Sequence, residues 1–202
     1  MKDLCVWLVG FVMITSAIRC MYQIRKRDGV SPTLSTWIIF FAGTILSLTT
    51  YIIAEKHDLR SGVLNIADVV ATAIIFLSVI IWGERGMRFR PFEKWYLGGV
   101  VVIVVYGLFS GDAWGSNIFT QVLISAGYFP TIQKLLTEKR NTESFTVWGL
   151  IVVAGLLALY PAMANGNFLA VVYATRSVVS VSIVIAIMTY FELRSRKALS
   201  QT

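Results

Sequence analysis

Asp68 and Arg176 set an acid and a base deep inside apolar stretches of this chain, and uncharged polar residues recur around them at helical spacing. Asn65, Asp68 and Thr72 are three and four residues apart, Tyr173, Arg176 and Ser180 repeat that spacing, and Asn117, Gln121 and Ser125 step by four. On a helix each set occupies one face. In a bilayer such a face turns towards another helix or a wet cavity, since hydrocarbon leaves its hydrogen bonds unmet. The chemistry on offer is recognition and proton exchange: a guanidinium takes a carboxylate through charge-assisted hydrogen bonds, and a buried acid is a proton site. Asn65, Asp68, Thr72, Asn117, Gln121, Tyr173, Arg176 and Ser180 are therefore the candidate substrate-binding residues. A plainer reading stands beside this one, in which Asp68 and Arg176 form a buried ion pair that locks two helices and the polar faces are interhelical glue. Removing one partner of such a pair costs roughly 3–5 kcal/mol. Arg19, the third ionisable side chain within an apolar stretch, lies close enough to its helix end to snorkel to the interface.

The elements that hold these residues must be membrane helices. Hydrophobic residues make up 56% of the chain and charged residues only 14%, with a mean hydropathy of +0.72, which puts the chain in the membrane class. A span needs roughly 20 apolar residues. Charged or turn-like breaks leave seven such stretches, at 4–23, 35–54, 61–82, 92–109, 116–136, 144–164 and 167–190. The first has no small-residue cleavage site after it, so it reads as a span and not as a removable signal peptide. With the third stretch starting near Ser61 and the seventh near Asn167, Asp68 and Arg176 fall roughly 10–14 Å below the boundary at about 1.5 Å per residue. Cys5 and Cys20 sit in one helix beyond disulfide reach. His57 is the single histidine, and no cluster has metal-ligand spacing; neither a metal nor a cofactor is expected.

One short pattern occurs twice. Residues 20–37 read CMYQIRKRDGVSPTLSTW and residues 128–148 read YFPTIQKLLTEKRNTESFTVW. Each leaves an apolar helix, crosses a basic loop and begins another apolar helix at a Trp. Ile24 and Lys26 fall on Ile132 and Lys134 at an offset of 108, while Ser35 and Trp37 fall on Thr146 and Trp148 at an offset of 111. At the first offset Arg176 matches Asp68, and at the second it matches Asn65, so either register keeps the position polar. Repeats of this length in an apolar chain are a transporter signature, with the site between the repeats near the midplane.

Loop charge orients the helices. Thirteen Lys and Arg residues lie in the loops after the first, third and fifth stretches and in the tail, against Lys2, Lys56 and Arg60 on the other side. The positive-inside rule then puts the N-terminus outside and the C-terminus in the cytoplasm. The net charge of +7 reflects topology, since it is split among short loops and not gathered on a face that could bind nucleic acid. Both copies run in the same direction. The expected architecture is all-α: residues 1–82 form a first three-helix repeat, 83–110 a linker helix and its loop, 111–191 a second, parallel repeat, and 192–202 a basic tail, a 3+1+3 arrangement of seven membrane helices. The linker's apolar run, Trp95 to Phe109, is short for a span.

Tyr128, Pro130, Ile132 and Lys134, followed by TEKRNTESFTVW, resemble the PQ-loop signature at the cytoplasmic end of the first helix of each repeat. SWEET sugar transporters, their half-sized bacterial relatives, lysosomal amino-acid exporters and mitochondrial pyruvate carriers are similar to one another in this way. The name-giving pair is split here, Pro130 being followed by Thr131 and Tyr22 by Gln23, and Pro32, Ser35 and Trp37 look like the same region of bacterial seven-helix relatives. The resemblance implies a SWEET-like layout in a bacterial inner membrane.

Gly127 and Pro130 together offer a hinge, because Pro130 removes a backbone donor. Trp37, Tyr128, Pro130 and Trp148 are the gating or hinge candidates; as interfacial anchors the two Trp residues need no function, and Trp7 and Trp114 form a second matched pair. The expected function is a secondary transporter or facilitator that moves a small polar solute, a sugar, amino acid or small carboxylate, by alternating access between two halves. The alternative is a seven-helix receptor or sensor with a closed ligand pocket. A retinal pigment is excluded by the absence of Lys between Asn167 and Tyr190, and an intramembrane enzyme by the lack of a membrane-embedded His or paired acids. The expected partners are the solute and the bilayer. A chain holding both halves can work as a monomer, and a homo-oligomer stays open.

Overall fold

The computed structural model describes residues 1–26, 32, 34–55, 58–83 and 91–199. Arg27, Lys56, His57, Arg85, Arg88 and Arg90, which entered the charge and histidine readings, lie outside the described residues, as do Ser31 and Ser200. Every element among the described residues is helical: α1 (Lys2–Lys26), α2 (Leu34–Ala54), α3 (Val63–Trp82), α4 (Pro91–Ser110), α5 (Ala113–Ala126), α6 (Phe129–Glu138), α7 (Phe145–Ala164) and α8 (Phe168–Leu199). Five of them, within α1, α2, α3, α7 and α8, are long and apolar enough to cross a membrane. The protein is an α-helical integral membrane protein.

Helix starts follow local chemistry. Asp112 caps α5 by accepting from the Gly115 amide at 2.8 Å, Ser144 caps α7 by accepting from Val147 at 3.4 Å, and Asn167 caps α8 by accepting from Ala170 at 2.9 Å. Each satisfies an amide that the first helical turn leaves without a partner. Pro91 opens α4, where its missing N–H costs nothing.

Two departures from the sequence expectation concern span continuity. The stretch 116–136 is not one helix but α5 and α6, of 14 and 10 residues. At the junction Gly127 tightens to a 2.9 Å bond with the Ile124 carbonyl and Tyr128 bonds the Ser125 carbonyl at 3.3 Å. Pro130, in the first turn of α6, has no N–H to return to the Ala126 carbonyl, which interrupts the ladder. The second departure is at the tail, where the basic segment from 192 onward continues α8 as far as Leu199.

Helix α1 packs on α3 and α7, α3 also packs on α2, and α2 packs on α5. Helix α8 packs on α7, α5, α6 and α3, while α4 lies against α5 and α2. The main core runs through the middle of this bundle and includes Val9, Met13, Ile75, Ile124, Leu135, Val181 and Met188. Glycine matters at one contact in particular: a Cβ on Gly127 would stand 2.6 Å from Ile39 Cγ2 and 3.0 Å from Phe40 Cε1, so only glycine lets the end of α5 sit this close to α2.

Candidate functional site

A cavity of about 30 Å³ lies at the centre of the bundle, where α1, α2, α3, α5, α7 and α8 converge. That is room for about one or two water molecules. One side of its lining carries Asp68 and Thr72 of α3 and Arg176 and Ser177 of α8. The other carries Trp37, Phe40, Tyr128 and Trp148.

The charged side chains are held from behind by a polar circuit through four helices. Tyr173 donates its hydroxyl to Asp68 Oδ2 at 2.6 Å, and the guanidinium carbon of Arg176 lies 4.7 Å over the Tyr173 ring. Arg176 Nε donates to Gln121 Oε1 at 3.0 Å. Gln121 Nε2 donates to Ser47 Oγ at 2.9 Å and to Asn117 Oδ1 at 3.1 Å, and Asn65 Nδ2 reaches the same Ser47 Oγ at 3.1 Å. Asn65 and Asp68 are both on α3, so the circuit closes on itself. Buried polar groups in such a ring are oriented because each needs its neighbour's partner atom. Two sites stay open: Arg176 Nη1 and Asn65 Oδ1 are buried without a hydrogen-bond partner. The Tyr128 phenol stands beside the guanidinium, while Nη1 is left without a partner. Asp68 and Arg176 themselves are not an ion pair; among the described residues the pairs are Asp3–Arg60, Lys134–Glu138 and Glu138–Arg140. The buried-pair arrangement considered from sequence is thus replaced by one in which Tyr173 stands between acid and base.

At one end the cavity is plugged by aromatic rings. Trp37 stacks on Trp148 with centroids 6.5 Å apart and planes at 28°, and Tyr128 meets Phe40 at 4.7 Å and Trp148 at 5.9 Å. Trp148 Nε1 donates to Glu143 Oε2 at 3.3 Å. Glu143, in the α6–α7 connection, is buried, and burial pushes its carboxyl up to about 7 against the pull of Lys134 and the Trp148 hydrogen bond.

At the opposite end a polar latch ties the α2–α3 connection to the start of α8. Asn167 Nδ2 lies 3.0 Å from the Tyr51 hydroxyl, 3.2 Å from Asp58 Oδ2 and 3.3 Å from Glu55 Oε2. Beside it Asn165 Nδ2 donates to Ser61 Oγ at 2.9 Å, and Lys2 Nζ donates to Asn165 Oδ1 at 2.8 Å and to the Ala164 carbonyl at 3.0 Å. Partial burial raises the Asp58 carboxyl, but hydrogen bonds from Ser61, Asn167 and the Arg60 amide outweigh it and hold the group below its ordinary value.

Of the eight residues singled out for binding, Asp68, Thr72 and Arg176 line the cavity, while Asn65, Asn117, Gln121 and Tyr173 form the circuit behind it. Ser180 is half-buried and outside the lining, and Ser125, which continued the α5 stripe, is exposed. Trp37, Tyr128 and Trp148 line the aromatic end, and Pro130 is buried at the start of α6. Arg19 is exposed on α1, as snorkelling requires, and Trp7 and Trp114 are exposed too. Sequence reasoning missed Ser16, Thr44, Ser47 and Ser177. For two of them a signal existed: Thr44, Ser47 and Tyr51 repeat the three-and-four spacing along α2. No protein-family model matches this chain and no curated protein matches it, so its functional reading rests on the cavity and the residues around it.

Proposed function

We propose that the protein is a secondary transporter or facilitator for a small polar solute, of the PQ-loop, SWEET-like kind, working by alternating access between two parallel three-helix repeats with α4 as the linker. The observation that carries this reading is the central cavity itself. It is lined from both proposed halves and holds an acid and a base that do not pair, with stacked aromatic rings at one end and, beyond the other, a polar latch between the α2–α3 connection and the start of α8. An alternating carrier needs a polar site of this kind between its halves.

Two further features support the repeat. Exchanging α1, α2 and α3 for α5–α6, α7 and α8 turns the contacts α1·α3, α2·α3 and α1·α7 into α5·α8, α7·α8 and α5·α2, and each of these is also made. Among the described residues α4 packs chiefly on one element of each proposed half, α2 and α5. Moreover, Trp37 and Trp148 come from matched positions and stack on each other; equivalent residues of two halves meet only near the axis that relates them. The proposed orientation has the latch outside and the aromatic plug towards the cytoplasm of a bacterium.

Uptake of labelled solutes by proteoliposomes containing the purified protein tests the reading. Saturable, counterflow-competent uptake that Arg176→Ala abolishes is the expected result. Ligand binding without flux for any solute that binds would replace the transporter with the receptor reading.

A further inference from the structure

Building on that reading, we infer that the central cavity takes a small zwitterion: a carboxylate for Arg176 and an ammonium for Asp68, carried on one short apolar skeleton.

The guanidinium is already fixed on two sides, through Nε by Gln121 and across its face by Tyr173. Gln121 is in turn oriented by Ser47 and Asn117. What remains is Nη1, a buried donor with no partner. A buried donor without a partner forfeits its hydration and is repaid by any acceptor that reaches it, most of all by a charged one. Asp68 is the complementary case. One of its oxygens accepts from Tyr173, and an ionised carboxylate has roughly four lone-pair sites, so it retains capacity for a donor from the cavity it lines.

The two charges share one enclosure, and the Tyr173 side chain keeps them from neutralising each other directly. A neutral sugar could hydrogen-bond to both but would neutralise neither charge. A simple anion would satisfy Arg176 while facing Asp68, and a simple amine would do the reverse, each at the cost of a like-charge approach in a poorly solvated space. A zwitterion matches both partners and adds no net charge to the halves that must move. Apart from Ser16 and Thr44, the remaining aliphatic lining, Met13, Ala71, Ile75, Ile124 and Ile151, is apolar and suits a hydrocarbon body. At about 30 Å³ the cavity must widen to admit even a three-carbon solute, so a short skeleton is favoured over a long one.

The experiment compares L-alanine, propionate, ethylamine and glucose as ligands of the purified full chain by calorimetry, with alanine flux measured separately in proteoliposomes. Alanine should bind the unmodified protein at least about tenfold more tightly than either fragment or glucose, the size expected for losing one charged hydrogen bond. Arg176→Gln should lose alanine and shift preference towards ethylamine, and Asp68→Asn should shift it towards propionate. Arg176→Lys, which keeps the charge, should retain alanine binding. Glucose or propionate binding as tightly as alanine, or no binding by alanine, overturns the zwitterion assignment whatever the variants do. Alanine binding without flux overturns the transport reading alone.

Discussion

The Glu143 carboxyl accepts a hydrogen bond from Trp148, one half of the stacked Trp pair, and burial holds it near 7, well above its ordinary 4.5. Lys134 pulls that value down and Glu138 pushes it up, both from α6. Because the folded value is the higher one, the native state keeps its proton where the unfolded chain has already released it. Stability therefore falls as pH rises from about 4.5 to about 7 and levels off above that. Glu143→Gln retains an acceptor for Trp148 and removes the titration. Thermal unfolding at pH 8 should show it more stable than the parent, on the order of 2–3 kcal/mol, with the advantage gone at pH 4.5; equal stability at pH 8 would contradict this account. At this scale Asp68 and Arg176 were legible because a charge in an apolar run has few innocent explanations. Ser47 was not, although it is fully buried and its hydroxyl accepts from two neighbours, Asn65 and Gln121. Serine is common in membrane helices, and only packing distinguishes a hub from a spacer. Nor could sequence reveal that a tyrosine ring intervenes between acid and base, since that depends on how α8 faces α3.

Among the elements, the α5–α6 junction is the most consequential. It combines a tightened turn at Gly127 with the missing donor of Pro130, and it carries Tyr128 into the cavity wall. Any rotation of α6 relative to α5 moves that ring. Gly127→Ala forces a methyl against Ile39 and Phe40, an overpacking worth about 1–3 kcal/mol. Its melting temperature should drop, and combining it with Ile39→Ala, itself costly at a fully buried site, should destabilise by less than the sum of the two single changes; additive destabilisation would show that the contact is not the cause. The hinge was readable as Gly and Pro in sequence, whereas its outcome was not. Proline in a membrane helix kinks, breaks or does little depending on how its neighbours satisfy the freed carbonyl. Span limits elsewhere followed hydropathy to within a few residues, apart from the tail. There α8 runs on through the basic segment because Glu192, Leu193, Arg194 and Ala198 bring no helix breaker.

The direction proposed for the whole molecule rests on loop charge. A single-cysteine protein lacking Cys5 and Cys20, with Lys2→Cys or Ser200→Cys, should react with an impermeant thiol reagent in intact cells only at position 2. Labelling at position 200 reverses the proposed orientation and exchanges the roles of latch and plug. Which helices neighbour which was beyond the sequence: the repeat suggested equivalent halves, but not that α1 meets α7 while α2 meets α5.

The latch has a consequence for local folding. A single amide, Asn167, caps α8 through Oδ1 and holds the α2–α3 connection through Nδ2. The two functions share one planar group, so swinging Nδ2 away from Tyr51 and Asp58 also turns Oδ1 away from the Ala170 amide. Opening that end of the bundle and fraying the first turn of α8 become one event. With Asn167 in place, hydrogen–deuterium exchange at Ala170 should then report the opening directly: slow while the latch is made, and faster in step with any ligand that opens this end. Asn167→Asp keeps the cap but replaces the donor with a third carboxylate beside Glu55 and Asp58, so above pH 6 it should raise access to the cavity from this end while leaving Ala170 protected. Ala170 exchange that stays slow while a ligand opens this end of the unmodified protein would mean the cap and the latch are separable.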